Sequence, residues 1–422
     1  MIRFLSSSLI IFFILFPIQF YAIPISMNRL MGIIGLCFLL PFVYKKFHKA
    51  LKCVCFGYLF LIMVALLTSL VNVSFEEQFY MFLLTPLLNI GAGFFVCRTL
   101  GSHISIIKII DAIIFVELFQ AIISYTMFIV PSFNDFINSL VVYDDSTEER
   151  LNLVDFRLMG LGNRFFGAAA NYGTALLLLA LIPHLNGSIF YRNKLFYWVC
   201  ITLIVVAGIL SARTFMLVLI VLFVFVYLTE RNILKILFKG LKVTIVLIAF
   251  FVVFMKLLGD SIGGDRFEHM QKWAFELFVT YNETGEFKST SSDKVGAMYE
   301  IVPDNVITWA IGDAKYVDKY GYYKETDIGY LRHLFYWGII GSVLYWIVVI
   351  IYYKKTSALF KEKALSHFFF VLFLWDVILN FKGIISMASF YLGPFLACGI
   401  ILYYRNKKKT YENISNHSCL QC

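Results

Sequence analysis

The chain has 422 residues, 60% of them hydrophobic and only 15% charged, with a mean hydropathy of +0.80. A soluble domain is nearer half apolar and carries about a quarter charged residues, so the composition excludes that class and marks a polytopic membrane protein. The formal net charge of +9 would suit nucleic acid, but the basic residues sit in short connections between apolar runs, which is a membrane-topology pattern.

Apolar runs of the roughly 17–25 residues that cross about 30 Å of hydrocarbon can be marked at 4–24, 30–44, 53–72, 79–97, 109–130, 165–185, 195–211, 214–228, 241–258, 328–352, 364–381 and 384–403. They predict an all-α fold with about twelve transmembrane helices in a single membrane domain covering residues 1–422. The first run, within "RFLSSSLIIFFILFPIQFYAIP", is too long for a signal-peptide core and lacks an Ala-x-Ala site, so it reads as a retained helix. With the N-terminus inside, the even-numbered connections and the tail collect most of the 36 basic residues, from Lys45, Lys46, Lys49 and Lys52 to Lys407, Lys408 and Lys409. Their only acids are Glu230, Glu362 and Glu412. The positive-inside rule then puts both termini in the cytoplasm. Six of the eight cysteines fall in apolar runs and two in the tail, so no outward loop has a pair to bridge. The terminal "CLQC" reads as a lone pair of tail cysteines.

Two connections on the outer side are long, 131–164 and 259–327. The second holds 13 acids against 7 basic residues and is a solvated loop. Within it "FEHMQKWAFELFVTY" spaces Phe267, Met270, Trp273, Ala274, Leu277 and Phe278 as an amphipathic helix, lying on the bilayer surface or on a small core of the loop itself. "YNETGEFKSTSSDKVG" has the composition of turns and linker. Neither a Walker loop nor G-x-G-x-x-G is present, and no inward loop is large enough for a nucleotide-binding domain, which argues against ATP-driven transport by this chain. The chemistry belongs at the outer face.

Five arginines lie in or beside the outward loops: Arg157 and Arg164 in "VDFRLMGLGNRFFGAAANYG", Arg213 in "GILSARTFML", Arg266 in "GGDRFEHM" and Arg332 in "TDIGYLRHLFYWGIIG". One such residue is explained as a lipid anchor or as a charge at a helix C-terminus. Five on one face suit a diphosphate, because the guanidinium fork binds phosphate oxygens bidentately. Asp327 caps the tenth helix or, beside arginines, accepts a proton from a sugar hydroxyl while a diphosphate leaves. Arg332 and His333 are either snorkelling rim residues or part of that site, and Gly338 and Gly341 are read as permitting close helix packing below it. Asp111, Glu117 and Asp376 fall inside spans, where carboxylates mark ion paths or form interhelical hydrogen bonds, with Lys382 a candidate partner for Asp376. "DD" at Asp144–Asp145 lies among Glu148 and Glu149 and reads as a solvated acidic turn, not a metal pair.

The chain resembles the Wzy-type O-antigen polymerases of the O-antigen ligase and polymerase superfamily. "RLMGLGNRFFGAAANYGTALLL", with Asn171, is similar to that family's Arg-x-x-Gly segment entering a small-residue helix. "LSARTFMLVLIV" is similar to its Ser-x-Arg-Thr turn, and the large loop ending in "TDIGYLRHLFYWGIIG" to its Asp-x-Gly-x-x-Arg…Gly-x-x-Gly pattern. The motifs cover roughly residues 155–345. The resemblance implies an α-helical bundle with a lipid-facing cavity, in the bacterial inner membrane. Its implied activity is metal-independent transfer of a growing glycan from undecaprenyl diphosphate to a lipid-linked repeat unit at the periplasmic face. It implies Arg157, Arg213 and Arg266 as diphosphate ligands, with Arg164 and Arg332 as further contacts and Asp327 or His333 as the base. Membrane lipids, the undecaprenyl-diphosphate-linked oligosaccharide and a chain-length regulator protein are the implied partners, with no cofactor and no nucleic acid. The O-antigen ligases place a histidine where this chain has Asp327. Ligase, a flippase for lipid-linked oligosaccharide and a polymerase of another surface polysaccharide are the alternatives.

Overall fold

The computed structural model describes residues 1–45, 47–142, 157–163, 165–230, 268–269, 272–273, 276–286, 290–318 and 321–419. The expected span at 241–258, the arginines Arg164 and Arg266, and Asp144–Asp145 lie outside them. So do Phe267, Met270 and Ala274 of the expected amphipathic helix, and the side chains of Leu277 and Phe278.

Among the described residues the helices are joined by turns and loops, and the only strands form one small hairpin. The helices are α1 (Ile2–Leu15), α2 (Met27–Lys45), α3 (Lys49–Asn72), α4 (Glu77–Leu100), α5 (Ile106–Ile129), α6 (Pro131–Leu140), α7 (Phe165–Leu181), α8 (Lys194–Ser211) and α9 (Val218–Glu230). After them come α10 (Glu276–Thr284), α11 (Thr290–Tyr299), α12 (Val306–Ile311), α13 (Gly329–Ser357), α14 (Lys363–Leu379) and α15 (Met387–Cys419). The hairpin pairs β1 (Val317–Asp318) with β2 (Gly321–Tyr322), antiparallel, Val317 opposite Tyr322. Eight of the described helices are long and apolar enough to cross a membrane, and the protein is an all-α, multi-pass membrane protein.

Three expectations about elements are corrected. The first run forms a helix of only 14 residues, because the chain turns extended at Phe16, the residue before Pro17. A proline disfavours the helical region for the residue that precedes it. The expected linker at 281–296 is mostly helix, the end of α10 and the start of α11, with Asp293 in the first turn of α11 where the positive end of the helix favours an acid. The last correction concerns Gly338 and Gly341: Gly338 does permit close packing, against α12, but at a break in its own helix. Trp337 (φ −134°) and Gly338 (φ +67°) leave the helical region inside α13, and a Cβ at Gly338 would strike the main chain of Ala310. Gly341 accommodates the indole of Trp337 from its own helix, not a neighbouring helix.

The break is satisfied from outside the helix. The carbonyls of Phe335 and Tyr336 accept from the backbone N–H groups of Asp313 and Ala314, at 2.7 and 2.9 Å. Asn72 donates to the Gly312 carbonyl at 3.2 Å and Ser74 to that of Ala314 at 3.1 Å, so the end of α3 holds the same segment. Buried main-chain polar groups need such partners, and irregular backbone is tolerated in a membrane protein where protein covers it. A separate small core of Ile328, Leu331 and Phe335, with Met298 and Ile301 against it, lies under this loop region.

The main core is built on backbone contact. Glycines put α2 against α4 at Gly35 and Gly91, and α4 against α15 at Gly93 and Gly393, where a Cβ would crowd the opposing chain. Lipid offers no hydrophobic drive between helices, so close packing through small residues supplies the attraction. Met387, Ala388, Tyr391, Phe395 and Cys398 of α15 are fully buried in the result.

Candidate functional site

Arg213 opens a short 3-10 turn between α8 and α9. Phe215, two residues on, folds back into the notch left by Gly208 and is fully buried. That plug fixes the turn and aims Arg213 at the rim of the bundle. Arg157 reaches the same place from the stretch 157–163. The N–H of its neighbour Leu158 donates to the carbonyl of Leu210, the penultimate residue of α8, at 3.0 Å. Gln120 of α5 donates to the Leu161 carbonyl at 2.9 Å and anchors the other end of that stretch.

The two guanidinium groups meet at Trp273, at 4.5 Å (Arg157) and 5.3 Å (Arg213) from its ring centre, with Phe165 6.0 Å from Arg157. These are cation–π distances. Glu276, in the first turn of α10, pairs with Arg213 at 2.5 Å. Burial, and then the nearby Arg213 charge, lower Arg157 to about 10, against the opposite pull of Glu276. One carboxylate thus acts on both cations, and the two planar forks have the geometry that binds oxyanions bidentately.

Lys382 joins this neighbourhood, a place its sequence position near Asp376 does not foretell. Asp376 accepts from Tyr353 (3.2 Å) and from the N–H groups of Met387 (3.1 Å) and Ala388 (3.2 Å). Lys382 stands in the short turn between α14 and α15, and its ammonium is pulled below its ordinary value. The causes are burial first, then opposing contributions: Asp327 holds it up, while Arg213 and Arg157 push it down. Three cations and one carboxylate therefore feel one another at one end of the bundle. The available signal was its context, a lone basic residue in a tight turn between two apolar helices, the same as that of Arg213.

Asp327 is brought to this cluster by Gly329, which packs on the Asn380 and Gly383 carbonyls with no room for a Cβ, while Tyr330 donates its N–H to Asn380 at 3.4 Å. Asp327 does not cap α13. The N-cap residue is Ile328, and no side chain caps it.

Arg332 and His333 are not rim residues. Arg332 is 6% exposed and lies between the rings of Tyr316 and Tyr322, at 3.8 and 4.1 Å, while donating to the Tyr316 carbonyl at 3.4 Å. It braces the hairpin. His333 is fully buried against Tyr345, at 4.4 Å between ring centres, and Phe82, at 5.7 Å. Of the five arginines, then, Arg157 and Arg213 come together, Arg332 stands apart, and Arg164 and Arg266 lie outside the described residues.

The intramembrane carboxylates are held by hydrogen bonds between elements. Asp111 accepts from Ser188 at 2.6 Å and from the Ile189 N–H at 3.1 Å. Glu117 accepts from Tyr391 at 2.8 Å, and Tyr391 also lies 3.1 Å from Asn171, which donates to Asn163 at 3.2 Å. That chain of groups ends in the stretch that carries Arg157. No protein-family model, curated protein or solved structure matches the chain.

Proposed function

We propose that the protein is a glycosyltransferase that polymerises a surface polysaccharide of the O-antigen type. It transfers the growing glycan from undecaprenyl diphosphate to a lipid-linked repeat unit at the outer face of the bacterial inner membrane. The reading includes about twelve spans, as counted from the apolar runs, with both termini cytoplasmic. The observation that carries it is the convergence of Arg157, Arg213 and Lys382 at one end of an apolar bundle, with Asp327 beside Lys382.

A polyprenyl diphosphate needs its charge held at the membrane edge while its chain stays in lipid. Cations that feel one another, one of them paired with Glu276, suit that need. The donor is already activated, so the work left is to stabilise charge on the departing diphosphate and to take one proton from the attacking hydroxyl. Arg157, Arg213 and Lys382 supply the first. Asp327, at the cluster and not committed to a cap, supplies the second. His333 is a poor candidate, since its imidazole is sealed under aromatic rings.

The deciding experiment is the lipopolysaccharide ladder of a deletion strain. A polymerase loss leaves core plus one repeat unit. Bare core would identify a ligase or a flippase, and an unchanged ladder would refute all three.

A further inference from the structure

A cleft of about 380 Å³ is lined by α12 and the residues just before it, by Asp313 and Lys315, and by Tyr323, Lys324 and Phe335; Arg157 and Arg213 are not in its lining. Its size falls in the range of about 300–1,000 Å³ usual for small-molecule sites. Asp304, Asn305, Thr308 and Asp313 form its polar side, and the rings of Tyr323 and Phe335 give it an apolar wall.

The polar side is pre-set. The Asp313 carboxylate accepts from the Thr308 hydroxyl at 2.5 Å and from the Tyr323 hydroxyl at 3.1 Å, one on each oxygen. Each oxygen keeps a further lone pair. Asn305 caps α12 through the Thr308 N–H at 2.8 Å and donates to the Thr308 hydroxyl at 3.0 Å. The backbone under Asp313 is fixed by the break at Gly338. The helix break therefore places a rigid acceptor in the cleft.

The charge balance separates this cleft from the anion site. Asp304 and Asp313 face Lys315 and Lys324, and Lys324 is paired with Asp304 at 3.1 Å. Among the described residues the lining has no cationic surplus, so a phosphate gains little there. A ligand rich in hydroxyl groups, donating and accepting around a ring with one apolar face, matches fixed polar groups beside an aromatic wall. Tyr323 stands only four residues before Asp327 in the chain.

We propose that this cleft binds a short, uncharged saccharide segment of the glycan being extended, a proposal that rests on the polymerase reading above. The test uses the purified full chain in lipid nanodiscs. The probe is one repeat unit of the producing strain's polysaccharide, freed of lipid and phosphate, with binding read by saturation-transfer NMR. Wild type should bind it. Asp313→Asn should weaken binding about tenfold, the effect of one charge-assisted hydrogen bond. The double variant Asp304→Asn with Lys324→Gln changes only side chains at the cleft mouth and should weaken it several-fold, guarding against a folding defect in the first. Equal binding by wild type and both variants, or no binding by wild type, overturns the proposal. The deletion-strain ladder is read separately: an unchanged ladder removes the polymerase reading whatever the cleft binds, and a lost ladder with unaltered binding in both variants removes the cleft alone.

Discussion

The proposed transfer turns on which groups of the cluster at Trp273 carry charge when it occurs. Arg213→Lys keeps a cation but loses the fork, and should remove most of the polymer ladder. Arg213→Ala should cost about 10²–10³ in rate, the usual loss for a group that stabilises developing charge; a normal ladder from a stably expressed variant would reduce the residue to a topology anchor. Asp327→Asn separates base from scaffold cleanly, because the cap position belongs to Ile328. It should lower the rate by about 10²–10⁴ with little change in stability, whereas His333→Gln, inside an aromatic stack, should act on folding. The cations also set a pH signature. Arg157 is depressed to about 10 from an ordinary 12.5, and Lys382 is depressed too. In that window the unfolded chain binds more protons than the folded one, so stability rises with pH. The difference in melting temperature between wild type and Arg157→Gln, both without substrate, should therefore shift in favour of wild type as pH passes about 10, while the stabilisation given by added pyrophosphate fades. A difference that stays flat with pH would mean that Arg157 is not depressed by burial and its neighbours.

At the level of elements the decisive feature is the broken α13. Had the sequence run on as a helix from 329 to 357, Phe335 and Tyr336 would spend their carbonyls internally, and the backbone N–H groups of Asp313 and Ala314 would lose their acceptors. Gly338→Ala places a side chain at φ +67° and against Ala310. With ψ at −169° the backbone lies in a region essentially reserved for glycine, which alone costs about 1–3 kcal/mol for another residue, and the contact adds to it. The expected outcome is a lower melting temperature together with loss of cleft function. A variant that melts normally would show that the break survives without glycine. The pattern "YWGIIG" gave no warning of this, because small residues spaced along an apolar helix look the same whether they serve packing or a break. What distinguishes them is the partner main chain, and that comes from 312–314.

At the scale of the whole molecule, the orientation can be tested by reporter fusions. Those in 131–164 and 259–327 should report the periplasm, and those at 229–242 and 353–363 the cytoplasm. A cytoplasmic signal from 259–327 would put every candidate residue on the wrong side. The membrane class was legible in the sequence because hydropathy is a sum over local residues: a span must be apolar over its own length whatever it packs against. Eight helices appear as such, and the run before Pro17 fell short because one residue type overrode the sum. The rim position of Arg213 was legible for the same reason, being fixed by its two flanking helices. The tertiary structure alone decided which charges meet. Arg157 and Arg213 are 56 positions apart in the chain, and Lys382 and Asp327 lie farther along. Their meeting depends on the Gly208 notch, the Leu158–Leu210 bond and the packing of Gly329 on the 380–383 turn. Arg332, with the same composition around it as the others, went instead between two tyrosines. Side-chain destinations of this kind are set by long-range contacts, which leave no periodic mark in a single sequence.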